Sequence, residues 1–382
     1  MAYDDGVDTI ITCDNGISAI DQIQYAKDLG LTVIVTDHHD VPFIEEDGVR
    51  TFLSSQADAI INPKQIECEY KFKSICGAGV AFKLMEALYE EIGMDKEECY
   101  KLIEFVAIAT VCDVVDLIDE NRIFVKNGLE MLNNSKNIGI NALKKACGLE
   151  DKKITVYHLG FVIGPCLNAS GRLDSAKKGL ELLLMEDDEE AEKLAQEIVD
   201  LNDARKNMTK EGVDRAINII DSTDINNDKI LVVYIPDIHE SLAGIVAGRV
   251  KEKYNKPTII LIKSEEGVKG SARSIEEYNE FEGLLACKEL LDKFGGHPMA
   301  VGLSLQEDKV DELRKALNNK CELTDEDLTR KIMIDSSLPL EYLNLHLIEE
   351  LNVLEPFGKG NSKPVFGVRD AKITKAILLG KD

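Results

Sequence analysis

The chain contains no tryptophan, and aromatic residues of all kinds make up only 5% of it. Any surface that works by ring stacking must therefore use Phe or Tyr. No run approaches the roughly 18 consecutive apolar residues that a bilayer-crossing helix needs, which excludes a helical membrane protein. The opening residues, MAYDDGVDTIITCDNG, lack a basic stretch followed by an apolar one and a small-residue cleavage site, so nothing marks the chain for export and a cytoplasmic location is expected. Nine cysteines occur, scattered and mostly set in apolar runs such as AIATVC and FVIGPC, with no CxxC pair. Small buried thiols are expected rather than disulfides or a structural zinc. Positive charge is short as well: 45 Lys and Arg face 70 Asp and Glu, a net charge of −25 that repels polyanions at long range. The deficit is uneven, since residues 244–297 hold nine basic and nine acidic side chains while 185–192, MEDDEEAE, is almost wholly acidic. Any phosphate-binding surface must be local.

What is present fits a globular protein of two or three domains, with 382 residues, 44% of them hydrophobic and 30% charged. The first hundred residues alternate between strand and helix. DTIITC (8–13), LTVIVT (31–36) and ADAIIN (57–62) read as strands, and 17–29 has helical apolar spacing, so a parallel sheet is expected. Helical patterns follow at 79–92, 97–111, 121–133 and 139–147. A longer one, 189–220, predicts a helix or helix pair joining two domains, with Gly212 as a point of interruption and solvated charge on its acidic face. KILVVYI (229–235), PTIILI (257–262) and a helix over 281–294 restart an α/β pattern. From Lys331 the chain becomes rich in Gly and Pro and then β-like, in a unit too short to close a core alone.

Parallel sheets bind ligands beyond the carboxyl ends of their strands. Asp14 closes the first strand, Asp37-His38-His39 directly follows the second, and Asp113 lies in ATVCDVV after a helix. Carboxylate oxygens and imidazole nitrogens are the donor set for Mn²⁺ or Mg²⁺, and adjacent parallel strands would bring Asp14 and Asp37 together. Alternatively, a capping Asp with two surface histidines would give the same tripeptide.

These residues carry a resemblance. ITCDNGISA (11–19), TDHHDVP (36–42), CGAGVAFKL (76–84), ATVCDVVDL (109–117), GPCLNASGRLDSA (164–176), IHESLAGIVAGRVKEKYNKPTIIL (238–261), GSARS (270–274), FGGHPMAVGLSL (294–305) and LEPFGKGNSKPVF (354–366) are similar, in order, to stretches of the DHH phosphoesterase superfamily and specifically of its RecJ-type exonucleases. The resemblance implies an α/β fold: a parallel-sheet DHH domain (1–135), a long helical connector (136–222), a smaller α/β DHHA1 domain (223–320) and a partial OB-like segment (321–382). It implies two divalent cations, Mn²⁺ or Mg²⁺, with Asp14 bridging them and His38 and Asp113 on one of them, while Asp37 and His39 orient ligands and meet the scissile phosphate. It further implies phosphate contacts from Arg172, Ser271, Arg273 and a GGH turn, Gly295, Gly296 and His297, with Arg249 and Lys251 as weaker candidates on a helix. The expected partner is single-stranded DNA, alongside repair or recombination proteins, and the EPFGKGN stretch would begin a strand-gripping barrel.

One departure stands out. Family members carry a DxDG-type aspartate pair on a strand preceding that of Asp14, whereas YDDG (3–6) abuts the next strand and leaves no room for an intervening helix. The chain is therefore expected to be an internal portion of such a protein with an incomplete metal site. The reading it favours is impaired phosphodiester hydrolysis. The alternative is an inactive single-strand-binding or scaffold protein.

Overall fold

The structure, a computed structural model, describes residues 2–46, 49–265 and 267–377. The chain forms two compact units, one made of Met1–Pro165, Leu182–Ala195 and Ile334–Asp382, the other of Cys166–Glu181 and Gln196–Met333. Among the described residues, no helix is long and apolar enough to cross a membrane.

The first unit opens with β1 (Thr9–Cys13), α1 (Ile20–Asp28) and β2 (Thr32–Thr36), then a hairpin of β3 (Phe43–Glu46) and β4 (Val49–Phe52) that hydropathy did not suggest, then β5 (Ala59–Ile61). Strands β1, β2 and β5 form a parallel sheet in that order, with Thr9 opposite Thr32 and Cys13 opposite Thr36. Val33 and Val35 bury one face of β2 against Ile23 of α1, as alternation predicts. Helices α2 (Gly77–Glu91), α3 (Lys96–Tyr100), α4 (Ile103–Cys112) and α5 (Asp119–Asn133) share a core of Ile75, Val80, Phe82, Cys99, Val106 and Phe124. After α6 (Ile138–Ala146) come α7 (Val156–His158), a π-helical turn (Leu159–Ile163), α8 (Gly164–Leu173) and α9 (Lys177–Leu183).

Helix α10 runs without a break from Asp188 to Ser222. Gly212 does not interrupt it. A Cβ there would lie 3.0 Å from Val246 and 3.2 Å from Ile238, so the glycine instead permits close packing on α11 (Ala243–Tyr254), which lies in sequence between β6 (Leu231–Tyr234) and β7 (Thr258–Ser264). Next come β8 (Gly267–Arg273), α12 (Glu280–Leu285), β9 (Lys293–His297), β10 (Ala300–Leu305) and α13 (Val310–Lys320). The five strands of the second unit order as β6-β7-β8-β10-β9, with one core on each face. The helix expected over 281–294 ends at Leu285. Phe294 is instead paired with Leu303 in the β9–β10 ladder, and that cross-strand register overrides local spacing. Last come β11 (Ser336–Ser337), α14 (Leu345–Leu351) and β12 (Phe366–Gly367). Among the described residues none of the nine cysteines forms a disulfide, and four of them (76, 99, 166 and 287) are buried, while Cys13 is exposed.

Candidate metal centre and phosphate-binding surface

The ladder of β1 and β2 continues one residue past each strand. Asp14 N–H donates to Thr36 O at 3.0 Å and Asp37 N–H to Ile61 O at 3.0 Å, which sets the two aspartates side by side at the carboxyl end of the sheet. Asp14 takes the left-handed conformation, φ +63°, a costly choice for a non-glycine residue and one that turns its carboxylate off the strand. Helix α2 begins against it: a Cβ on Gly77 would fall 2.3 Å from Asp14 Oδ1 and 2.7 Å from its Cα, so only glycine allows this approach.

His38 is buried at 8% exposure. Its Nε2 lies 3.0 Å from Asp14 Oδ1 and 3.4 Å from Asp113 Oδ2, yet is aligned for a hydrogen bond to neither. A buried nitrogen facing two carboxylates without a hydrogen bond has the character of a metal ligand. Ligand atoms of Asp14, His38 and His39 also lie within 4.8 Å of one another. Asp113 caps the C-terminus of α4, where burial pushes its carboxyl up, His38 opposes this and Asp14 reinforces it. These residues fit a hard divalent ion.

Asp37 plays another part. It is 1% exposed and both its oxygens are occupied: Oδ2 accepts from Ile17 N–H at 2.9 Å, and Oδ1 accepts from His38 N–H at 2.7 Å and His39 N–H at 3.2 Å and meets His39 Nδ1 at 2.7 Å. Burial alone would raise this carboxyl, but the Ile17 amide, the His39 ring and the two following amides outweigh it and hold it below its ordinary value. Asp37 therefore fixes the His39 ring from behind. Asp4 and Asp5 of the YDDG segment sit in an exposed turn before β1, at the strand end opposite Asp14 and about 16 Å of strand away.

In the second unit Ser271 and Arg273 lie on β8. Pairing puts Arg273, Ala300 and His297 in one row across β8, β10 and β9, and Ser271, Gly302 and Gly295 in the next. Residues two apart on a strand share a face, so all six point the same way. Helix α11 packs over β7 and β8, and on the β10–β9 side Gly302, Gly295 and His297 are exposed, leaving a bare shelf beside the arginine. The expected GGH turn is thus a strand. Gly295 and His297 share the shelf face, while Gly296, at φ +151°, has Ala300 O 2.3 Å from where a Cβ would be.

Arg273 Nη1 donates to Ser271 Oγ at 3.0 Å, and Gly244, near the start of α11, leaves room for both groups. Arg172 donates to Ser241 O at 2.9 Å. Arg205, on α10, donates through Nε and Nη2 to Asn202 Oδ1 at 3.1 and 2.8 Å. Burial lowers the pKa of Arg273 and Arg205, and the charge of Arg172 lowers both further, with Arg249 acting on Arg205 as well. Guanidinium groups within electrostatic reach of one another are candidates for holding an anion. Sequence reasoning missed Arg205 because it sits in a helix whose charge read as solvated. Gly77 carries no local sequence signal of its role, since only the folded chain shows its contact with Asp14. EPFGKGN also makes a contact that the sequence did not show: Leu117 N–H donates to Lys359 O at 2.7 Å, and a Cβ on Gly358 would lie 2.5 Å from Leu117 Cδ1, so the loop buttresses the segment that follows Asp113.

Fold and site together define a protein of the DHH class with a DHHA1 domain. Residues 3–110 match the DHH family N-terminal domain, 227–323 the DHHA1 domain and 334–382 the RecJ OB domain. Within that class the chain is similar to the RecJ proteins over nearly its whole length. It is 38% identical over 379 residues to the single-stranded-DNA-specific exonuclease RecJ of Bacillus subtilis, covering 98% of this chain and 46% of that protein. Identity to the RecJ of Haemophilus influenzae is 35%, over 96% of this chain and 65% of the relative. The crystal structure of Thermus thermophilus RecJ in complex with Mn²⁺ superposes with a TM-score of 0.80 at 28% identity, covering 96% of this chain and 52% of that one, and the same protein has been solved with Mg²⁺. The chain thus spans about half to two thirds of the length of these curated relatives.

Proposed function

We propose that this chain is the catalytic portion of a metal-dependent exonuclease that hydrolyses single-stranded DNA from its 5′ end in recombination and repair. The buried His38 Nε2 held between the Asp14 and Asp113 carboxylates carries the proposal. Asp14, His38 and Asp113 would hold Mn²⁺ or Mg²⁺, which when bound neutralises charge developing on the phosphoryl oxygens and lowers the pKa of water. The chain's own residues supply the rest. Asp37 locks the His39 ring so that its free edge can hydrogen-bond the scissile phosphate, and Arg273, Ser271, Arg172 and Arg205 grip a phosphate by charge-assisted hydrogen bonds. The relatives agree, the RecJ proteins of Bacillus subtilis and Haemophilus influenzae each being a single-stranded-DNA-specific exonuclease.

The ligand set present here is enough for one cation, and this favours a second reading. Among the described residues no aspartate pair stands beside Asp14 to complete a second site, and on this reading the 382-residue chain binds single strands and cuts them slowly or not at all. The test is digestion of 5′-labelled and 3′-labelled oligonucleotides with Mn²⁺, single-stranded and duplex, by this chain and by the chain joined to a strand and helix bearing a DxDG pair. The joined protein should release mononucleotides from single-stranded 5′ ends, and this chain should be slower by orders of magnitude. Activity of the joined protein that survives Asp14→Ala and Asp113→Ala would overturn the assignment.

A further inference from the structure

Tyr157 and Phe161 stand on the surface of the first unit with their rings stacked on each other, centroids 5.1 Å apart and planes 25° apart, and they remain 62% and 66% exposed. Stacking has not hidden them. The turn that carries Phe161, Leu159–Ile163, is π-helical, a form that recurs at functional sites, and it follows a short helix closed by a Thr155–His158 capping box. Its inner side is already used. Leu159 and Ile163 are buried, the Cys112 thiol donates to Leu159 O at 3.7 Å, and Gly164 approaches so closely that a Cβ would fall 2.3 Å from Cys112 Sγ. The next residue is Asp113, so the turn is seated on the last turn of the helix that delivers a metal ligand, and the aromatic pair is what it presents outward.

We propose that Tyr157 and Phe161 form a stacking platform for an unpaired base of a single strand whose phosphates are handled at the Asp14–His38–Asp113 centre. This rests on the single-strand reading above and adds to it the residues that hold a base. An unpaired base has an exposed π-face to lay on such a platform, and base–aromatic stacking tolerates any sequence. Lys152 and Lys153 are exposed nearby but are offset in number by exposed Glu150 and Asp151, so the contact is made through ring faces rather than charge.

The chain lacks tryptophan, so Phe161→Trp places a sole indole on the platform while keeping its stacking ability. In chelator, to prevent cleavage, oligo(dT) should quench that fluorescence and an abasic strand of equal length should not. Tyr157→Ala with Phe161→Ala should weaken oligo(dT) binding by about 5- to 100-fold per stacked base, leaving abasic affinity and the salt slope unchanged. Wild-type oligo(dT) affinity in the double variant, or equal losses with both strands, would overturn the platform and leave the single-strand reading standing. A wild-type chain that binds no single strand would overturn both.

Discussion

At the scale of single residues, the most unusual group outside the metal centre is Glu280. Its carboxyl is fully buried at the start of α12, both oxygens lack a hydrogen-bond partner, and burial pushes it up to about 8, with the Ser274 hydroxyl pulling weakly the other way. Its backbone N–H donates to Pro298 O at 3.0 Å, which ties the residue to the turn after His297. The sign follows directly. A carboxyl whose folded pKa exceeds its unfolded value keeps its proton in the native state while the unfolded chain releases it. Its contribution is thus complete below about pH 4 and is lost as pH rises toward 8, at about 1.4 kcal/mol per pH unit. Urea denaturation from pH 5 to 9 should show this decline in the wild type and a flatter profile for Glu280→Gln. Parallel profiles for the two proteins would place the ionisation elsewhere.

At the scale of elements, two glycine contacts make predictions that separate folding from function. Gly77→Ala improves helix propensity yet drives a methyl into Asp14, so Mn²⁺ affinity should fall at least tenfold while the far-ultraviolet circular dichroism is retained. A Cβ at Gly302 meets nothing nearer than Gly295 O at 3.9 Å and valine suits a strand, so in Gly302→Val the melting temperature should hold or rise. The added side chain nonetheless covers the shelf beside Arg273, and oligonucleotide binding by fluorescence anisotropy should weaken several-fold. Loss of fold in the first variant or unchanged binding in the second would refute these assignments. The same elements show what could be read in advance. Asp14, Asp37 and His38 were legible because each sits where a β-branched run ends, a signal local to the sequence. Gly77 was not, because its partner lies 63 positions away and only the sheet-to-helix approach exposes the contact. The GGH segment was misread as a turn for a related reason, since its strand character comes from pairing with β10.

At the scale of the whole molecule, the α/β class and the long α10 followed from hydropathy alone, because parallel strands and amphipathic helices write their periods into neighbouring residues. Charge was a poorer guide. A net −25 argued against nucleic acid except at a local surface, and in the second unit Arg172 acts electrostatically on Arg205 and Arg273, and Arg249 on Arg205, a clustering that averages away in composition. Binding through such a local patch should fall steeply with salt despite the overall charge. The central claim is that Asp14, His38 and Asp113 form a divalent-metal site, and calorimetric titration of Mn²⁺ into the 382-residue chain and into His38→Ala tests it most directly. The account predicts one weak site in the wild type and its loss in the variant, with circular dichroism unchanged. Two tight sites, or one that His38→Ala leaves intact, would contradict it.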